Sequence, residues 1–79
     1  METAFVLINT ETGSEAEVLE ILKKVEGVDD IFAVYGVYDI IARIRAASMD
    51  KLKEIIMRRI RRIDKVRSAL TMLLIIELK

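Results

Sequence analysis

Apolar residues fill both alternating sets of the opening run, Phe5 and Leu7 on one side and Ala4, Val6 and Ile8 on the other. A strand without a polar face is buried on both sides, so Thr3 to Thr10 is expected to be such a strand. After a loop at Thr10 to Gly13 the period changes. Val18, Ile21, Leu22 and Val25 follow the i, i+3, i+4, i+7 spacing of one helical stripe. Ser14 stands at the N-cap position with Glu17 three residues on, a capping-box pattern, and Gly27 sits where a left-handed stop belongs. Val28 to Tyr35 reads as a second strand, its acidic start at Asp29 and Asp30 suited to a sheet edge. Asp39 to Ala46 reads as a third, with Ile40, Ala42 and Ile44 on one face and Ile41, Arg43 and Arg45 on the other. The two runs meet across Gly36-Val37-Tyr38, which predicts a β-hairpin. Ser48 then caps a second helix with Asp50 in its first turn and the stripe Leu52, Ile55, Ile56, Ile60 and Ile63. Lys65 to Leu78 completes the chain as a strand in which Leu70, Met72, Leu74, Ile76 and Leu78 alternate with Ala69, Thr71, Leu73, Ile75 and Glu77.

The order predicts an α+β fold of the ferredoxin-like β-α-β-β-α-β type, a four-stranded antiparallel sheet with two helices on one face. Two helices cover one sheet face only. The other face would be an apolar patch larger than soluble monomers tolerate, so a dimeric α/β sandwich with sheets face to face is expected.

Composition sharpens that expectation. The 79 residues make one domain, residues 1–79, 53% hydrophobic and 33% charged, with neither Cys nor His. A chain this short has a marginal core and usually needs a staple. Disulfides are excluded and the usual zinc ligand sets cannot be assembled, which leaves oligomerisation. The single Asn and the absence of Gln, Cys and Trp hint at a thermophile. No apolar run approaches the roughly 20 residues of a membrane span, and no signal peptide precedes Thr3, so a cytoplasmic protein without membrane contact is expected. Formal net charge is zero, but the first half is acidic and the run Arg58 to Arg62 with Lys65 and Arg67 is basic. That run is expected to balance the helix dipole and face acidic protein surface, without direct nucleic-acid contact.

Chemistry concentrates at the hairpin tip. A tight turn that needs φ > 0 accounts for Gly36, and its missing Cβ would also let a ligand carboxylate approach the turn amides. Asp39 suits either a backbone-bonding turn residue or a charge-assisted bond to a ligand ammonium. Tyr35 and Tyr38 are expected as core or rim aromatics. Thr71, a hydroxyl on a strand otherwise almost wholly apolar, needs a partner. No nucleophile stands beside a plausible base and no Gly-rich phosphate loop occurs, so no catalytic residue, metal or cofactor is assigned and an enzyme is not expected.

Val34-Tyr35-Gly36-Val37-Tyr38-Asp39-Ile40-Ile41, the spacing to Leu52, and Val66-Arg67-Ser68-Ala69-Leu70-Thr71-Met72 resemble the effector-binding (RAM) domain of the Lrp/AsnC transcriptional regulators, over about Ala4 to Leu78. The chain starts at the first strand of that domain, like stand-alone members without a DNA-binding domain. The resemblance implies dimers assembled into rings and amino-acid effectors held between dimers. It places Gly36, Val37, Tyr38 and Asp39 in the effector-contacting turn and Thr71 as a contacting hydroxyl; Ala69 stands where the family often has Thr. Turn amides and Thr71 would take a ligand carboxylate and Asp39 its ammonium. The ACT domain shares the strand order, but its Asp-x-x-Gly-like loop is not reproduced by Thr10-Glu11-Thr12-Gly13. The expected function is a non-enzymatic amino-acid-binding module acting in regulation through oligomer assembly. The alternative is a ligand-independent protein that co-assembles with full-length Lrp/AsnC-type regulators.

Overall fold

The opening strand is apolar on both sides because it lies in the middle of the sheet. The computed structural model describes residues 1–75. It gives strand β1 (Glu2–Thr10), helix α1 (Glu15–Leu22), strands β2 (Val28–Ala33) and β3 (Ile40–Ala46), helix α2 (Met49–Glu54) running on as a π-helix over Ile55–Ile60, and strand β4 (Val66–Leu73). The strands form one antiparallel sheet in the order β2-β3-β1-β4, the ferredoxin-like arrangement.

Register fixes the two faces. Ala4, Val6 and Ile8 pair with Ile44, Ala42 and Ile40 in β3, and with Leu73, Thr71 and Ala69 in β4. The β1 and β3 residues of this face are fully buried together with Val18, Leu22, Leu52 and Ile60 of the helices, so the core lies between sheet and helices. Phe5 and Leu7 pair with Arg43 and Ile41 on one side and with Met72 and Leu70 on the other, forming the outer face. Among the described residues no helix reaches it, and Phe32, Leu70 and Met72 are 53%, 47% and 48% exposed there.

Several local expectations are corrected. Ser14 precedes α1 but makes no side-chain cap hydrogen bond, so the Ser14–Glu17 capping box does not form. Its backbone (φ −104°, ψ 6°) is outside the β region that aims an N-cap oxygen at the helix amides. Ile21 is 38% exposed, and Leu19 packs against the core in its place beside Val18, Leu22 and Val25. Strand β2 ends at Ala33 rather than Tyr35, because its partner β3 begins at Ile40. The link between them is therefore a loop with bends, closed by the Val34 amide donating to the Asp39 carbonyl at 2.9 Å, and not a tight hairpin turn. Positive φ occurs at Gly13 and Gly27, not at Gly36. At Gly27 a Cβ would lie 2.8 Å from the Ile55 side chain and 2.9 Å from the Arg45 carbonyl oxygen, so both conformation and space require glycine. The last strand begins at Val66 and ends at Leu73; the expected continuation through Ile76, Glu77 and Leu78 lies outside the described residues.

The second helix follows its stripe, with Leu52, Ile55, Ile56, Ile60 and Ile63 all buried and Ser48 capping through the Lys51 amide at 3.2 Å. Its π-helical stretch has a sequence cause. At about 100° per residue a regular helix would turn Arg59 into the middle of that stripe. The wider turn, with the Arg61 amide donating to the Ile56 carbonyl, buries Ile60 completely and leaves Arg59 in solvent.

Candidate functional site

At one end of the sheet the last residues of β1, the loop after it, Asp39 just before β3 and the first residues of β4 line a cleft of about 490 Å³, made of Asn9, Thr10, Thr12, Asp39, Arg67 and Ser68. Asp39 is held in this lining by hydrogen bonds. Its amide donates to the Ile8 carbonyl at 2.9 Å, and its Oδ2 accepts from the Thr10 amide at 2.9 Å and the Thr10 hydroxyl at 3.4 Å. The Asp39 carboxylate thus bonds backbone, but that of β1 and not of its own turn, and this occupies one carboxylate oxygen. Asn9 Nδ2 donates to Ser68 Oγ at 3.3 Å across the β1–β4 pairing.

A bulge places Arg67. Asn9 pairs with Ser68 and Thr10 with Val66, which leaves Arg67 as the extra residue of β4. The chain enters this bulge through Lys65, whose φ of 79° is in the left-handed region that a side chain rarely adopts. The Glu11 amide donating to the Lys65 carbonyl at 2.8 Å holds that turn against the loop after β1. Among the described residues Arg67 forms no ion pair, with Asp39 or with any other carboxylate.

The remaining residues picked out from the sequence are dispersed. Gly36 and Val37 are exposed on the β2–β3 loop with Tyr35, and Tyr38 is half-buried. Thr71 faces the helices opposite Val6, and its hydroxyl oxygen is buried without a hydrogen-bond partner among the described residues. It lines a different cleft, about 300 Å³, with Lys53, Ile56, Met57, Arg61 and Leu73. Val6 and Thr10 are four residues apart on β1, on the order of 13 Å. Within one chain, therefore, Asp39 and Thr71 do not line the same cleft.

The charged surfaces divide in the same way. Part of the basic run, Arg58 and Arg59, borders a cleft of about 270 Å³ with Glu26, Lys51, Glu54 and Ile55. There the Lys51 ammonium bonds Glu54 at 3.1 Å and holds its carboxyl below the usual range. Arg43 and Arg45 are bound to the acidic start of β2: Arg43 to Asp29 at 2.9 Å and to Asp30, Arg45 to Asp29 at 3.2 Å. Among the described residues no group of three or more Asp or Glu could hold a metal ion, and no helix is long and apolar enough to cross a membrane.

Sequence reasoning singled out Asp39 but not Asn9, Thr10, Thr12, Arg67 and Ser68. The available signal was the polar pair Asn9-Thr10 at the end of an apolar strand, and it indicated only that the strand was ending.

The family model of the Lrp/AsnC ligand binding domain matches residues 3–79. An uncharacterized HTH-type transcriptional regulator of Pyrococcus furiosus is 34% identical over 80 residues covering 98% of this chain; the chain spans 53%, about half, of that regulator. A hypothetical protein of Pyrococcus horikoshii, known from its crystal structure, superposes with a TM-score of 0.90 at 35% identity, over 98% of this chain and 93% of that one. The feast or famine regulatory protein from M. tuberculosis, complexed with L-methionine, shares the fold at a TM-score of 0.81 and 24% identity, over 100% of this chain and 53% of that chain.

Proposed function

The chain belongs to the Lrp/AsnC ligand-binding domain family, and from that premise we propose that it binds a free amino acid as a regulatory effector, without catalysing a reaction. The carrying observation is Asp39: one carboxylate oxygen is fixed by Thr10, and the other makes no hydrogen bond among the described residues at the edge of a polar cleft. A carboxylate held in this way suits a charge-assisted bond to an α-ammonium group. Gly36, Val37 and Tyr38 belong to the neighbouring loop, and Thr71, whose hydroxyl oxygen is buried in a separate cleft, reaches a shared ligand only from a second copy in which the side chains around it give way. In this reading the outer sheet face is covered by another copy, the pairs assemble further, and occupancy acts on transcription or metabolism through the assembly. Support from relatives is of two kinds, the regulator family itself and the L-methionine complex of a protein with the same fold.

Calorimetric titration of the chain with each of the common L-amino acids tests the reading. At least one is expected to bind well below millimolar dissociation constant. Asp39→Asn keeps an acceptor for the Thr10 amide but removes the charge, and is expected to weaken that binding by about 1.5 to 3 kcal/mol, roughly 10- to 150-fold. A set of titrations in which nothing binds more tightly than millimolar overturns the proposal.

A further inference from the structure

We infer, resting on the reading above, that the Asp39 cleft selects amino acids with polar side chains and that Arg67 is the residue that takes their carboxylate. Three observations carry this. First, Asp39 and Arg67 line one cleft with opposite charges yet do not pair with each other, so the charge pattern of a zwitterion fits between them. Guanidinium binds carboxylate in a fork, a geometry that a lone turn amide cannot supply. Secondly, Arg67 is placed by irregularity. It is the extra residue of a β-bulge entered through a left-handed Lys65, and bulges recur where a strand must re-aim a side chain beside a site. A regular register would give Arg67 a cross-strand partner and commit it to one face of the sheet. Thirdly, the rest of the lining is two threonines, an asparagine and a serine, with no aliphatic or aromatic side chain. An apolar effector side chain there would bury little apolar surface and strip water from Thr12 and from the remaining donor and acceptor capacity of the Asn9–Ser68 and Thr10–Asp39 pairs, whereas a hydroxyl or carboxamide would replace that water.

The inference separates this chain from the relative seen with L-methionine, and it is tested on the full chain by calorimetry with L-asparagine, L-glutamine, L-serine, L-methionine, L-leucine and L-serinamide. At least one of the three polar amino acids is expected to bind about tenfold or more tightly than L-methionine and L-leucine. For wild type, L-serine is expected to bind more tightly than L-serinamide, which lacks the carboxylate. Arg67→Met should abolish that preference, weakening L-serine roughly 10- to 100-fold while changing L-serinamide less than about twofold. Arg67→Lys, which keeps the charge but not the fork, should fall between wild type and Arg67→Met. Arg67 is exposed, so melting curves of both variants are expected to overlay wild type. L-methionine or L-leucine binding as tightly as the best polar amino acid overturns the polar selection and leaves the proposed function standing. Equal losses for L-serine and L-serinamide in Arg67→Met overturn the carboxylate role. Absence of binding by every amino acid overturns the proposed function and this inference with it.

Discussion

The two faces of the sheet are built from the same strands and end differently. On the helix face Ile8, Ile40 and Ile44 are fully buried by residues of their own chain. On the outer face Phe32, Leu70 and Met72 stay about half exposed, with Phe5, Leu7 and Ile41 between them. Alternation along β1 gives both faces nearly the same apolar chemistry, so hydrophobicity does not explain the difference. Supply does: the described residues provide two helical segments, and both are used on one side. The apolar content of β1 and β4 thus exceeds what the helices among the described residues cover.

The largest test concerns one strand. Ile44 and Ile41 are three residues apart on β3 and face opposite ways. Ile44→Ala opens a cavity in a filled core and is expected to cost about 2 to 5 kcal/mol in chemical denaturation. Ile41→Ala, measured dilute enough for separate chains, should cost clearly less, since that side chain already touches water. Equal costs in dilute solution would mean that the outer face is closed within one chain, and the contrast between the faces would fail.

A second test asks what covers the outer face. The proposed pairing predicts that the 9.0 kDa chain sediments at twice that mass or a higher multiple at micromolar concentration. The double substitution Leu70→Lys and Met72→Lys puts two like charges on the patch and should return it to a single chain with its helical signal retained. A wild-type protein that sediments as one 9.0 kDa unit removes the pairing, and with it the proposed sharing of a ligand between copies.

How much could be read from the residues alone follows the same division. Periodic burial was legible: the set Ile40, Ala42 and Ile44 and the stripe from Leu52 to Ile63 are where the pattern put them. Features decided by a neighbour were not. Strand β2 stops at Ala33 because β3 starts at Ile40, which neither strand's own residues dictate. The π-helical turn is explained by Arg59 intruding on an isoleucine stripe, but such a conflict can also be relieved by bending or fraying, so the spacing alone did not select it. The cleft was the least legible part. Of its residues only Asp39 carried a local signature, since Arg67 reaches the site through a register shift between β1 and β4.

The smallest expected effect separates the charges on the outer face from those on the helices. Lys23 bonds Glu20 at 2.9 Å and Lys51 bonds Glu54 at 3.1 Å, both pairs on open helix surface. In each the lysine hydrogen bond holds the carboxyl below its usual 4.5. A carboxylate favoured in the folded state stabilises above the unfolded value and loses that contribution as the pH falls through the lower, folded one. The combined substitution Glu20→Gln and Glu54→Gln should therefore lower the melting temperature slightly at neutral pH and converge with wild type below pH 4.5. Solvent screens such pairs, so about 1 M salt should erase the neutral-pH difference. The Arg43–Asp29–Asp30–Arg45 group is half-exposed in one chain but becomes enclosed if a second sheet packs on it. Asp29→Asn should then cost more than the helix substitutions, and that cost should persist in high salt, because a covered ion cluster is shielded from counterions. If the Asp29 effect disappears in salt as the helix effects do, the cluster stands in open water and the outer face has no cover at that edge.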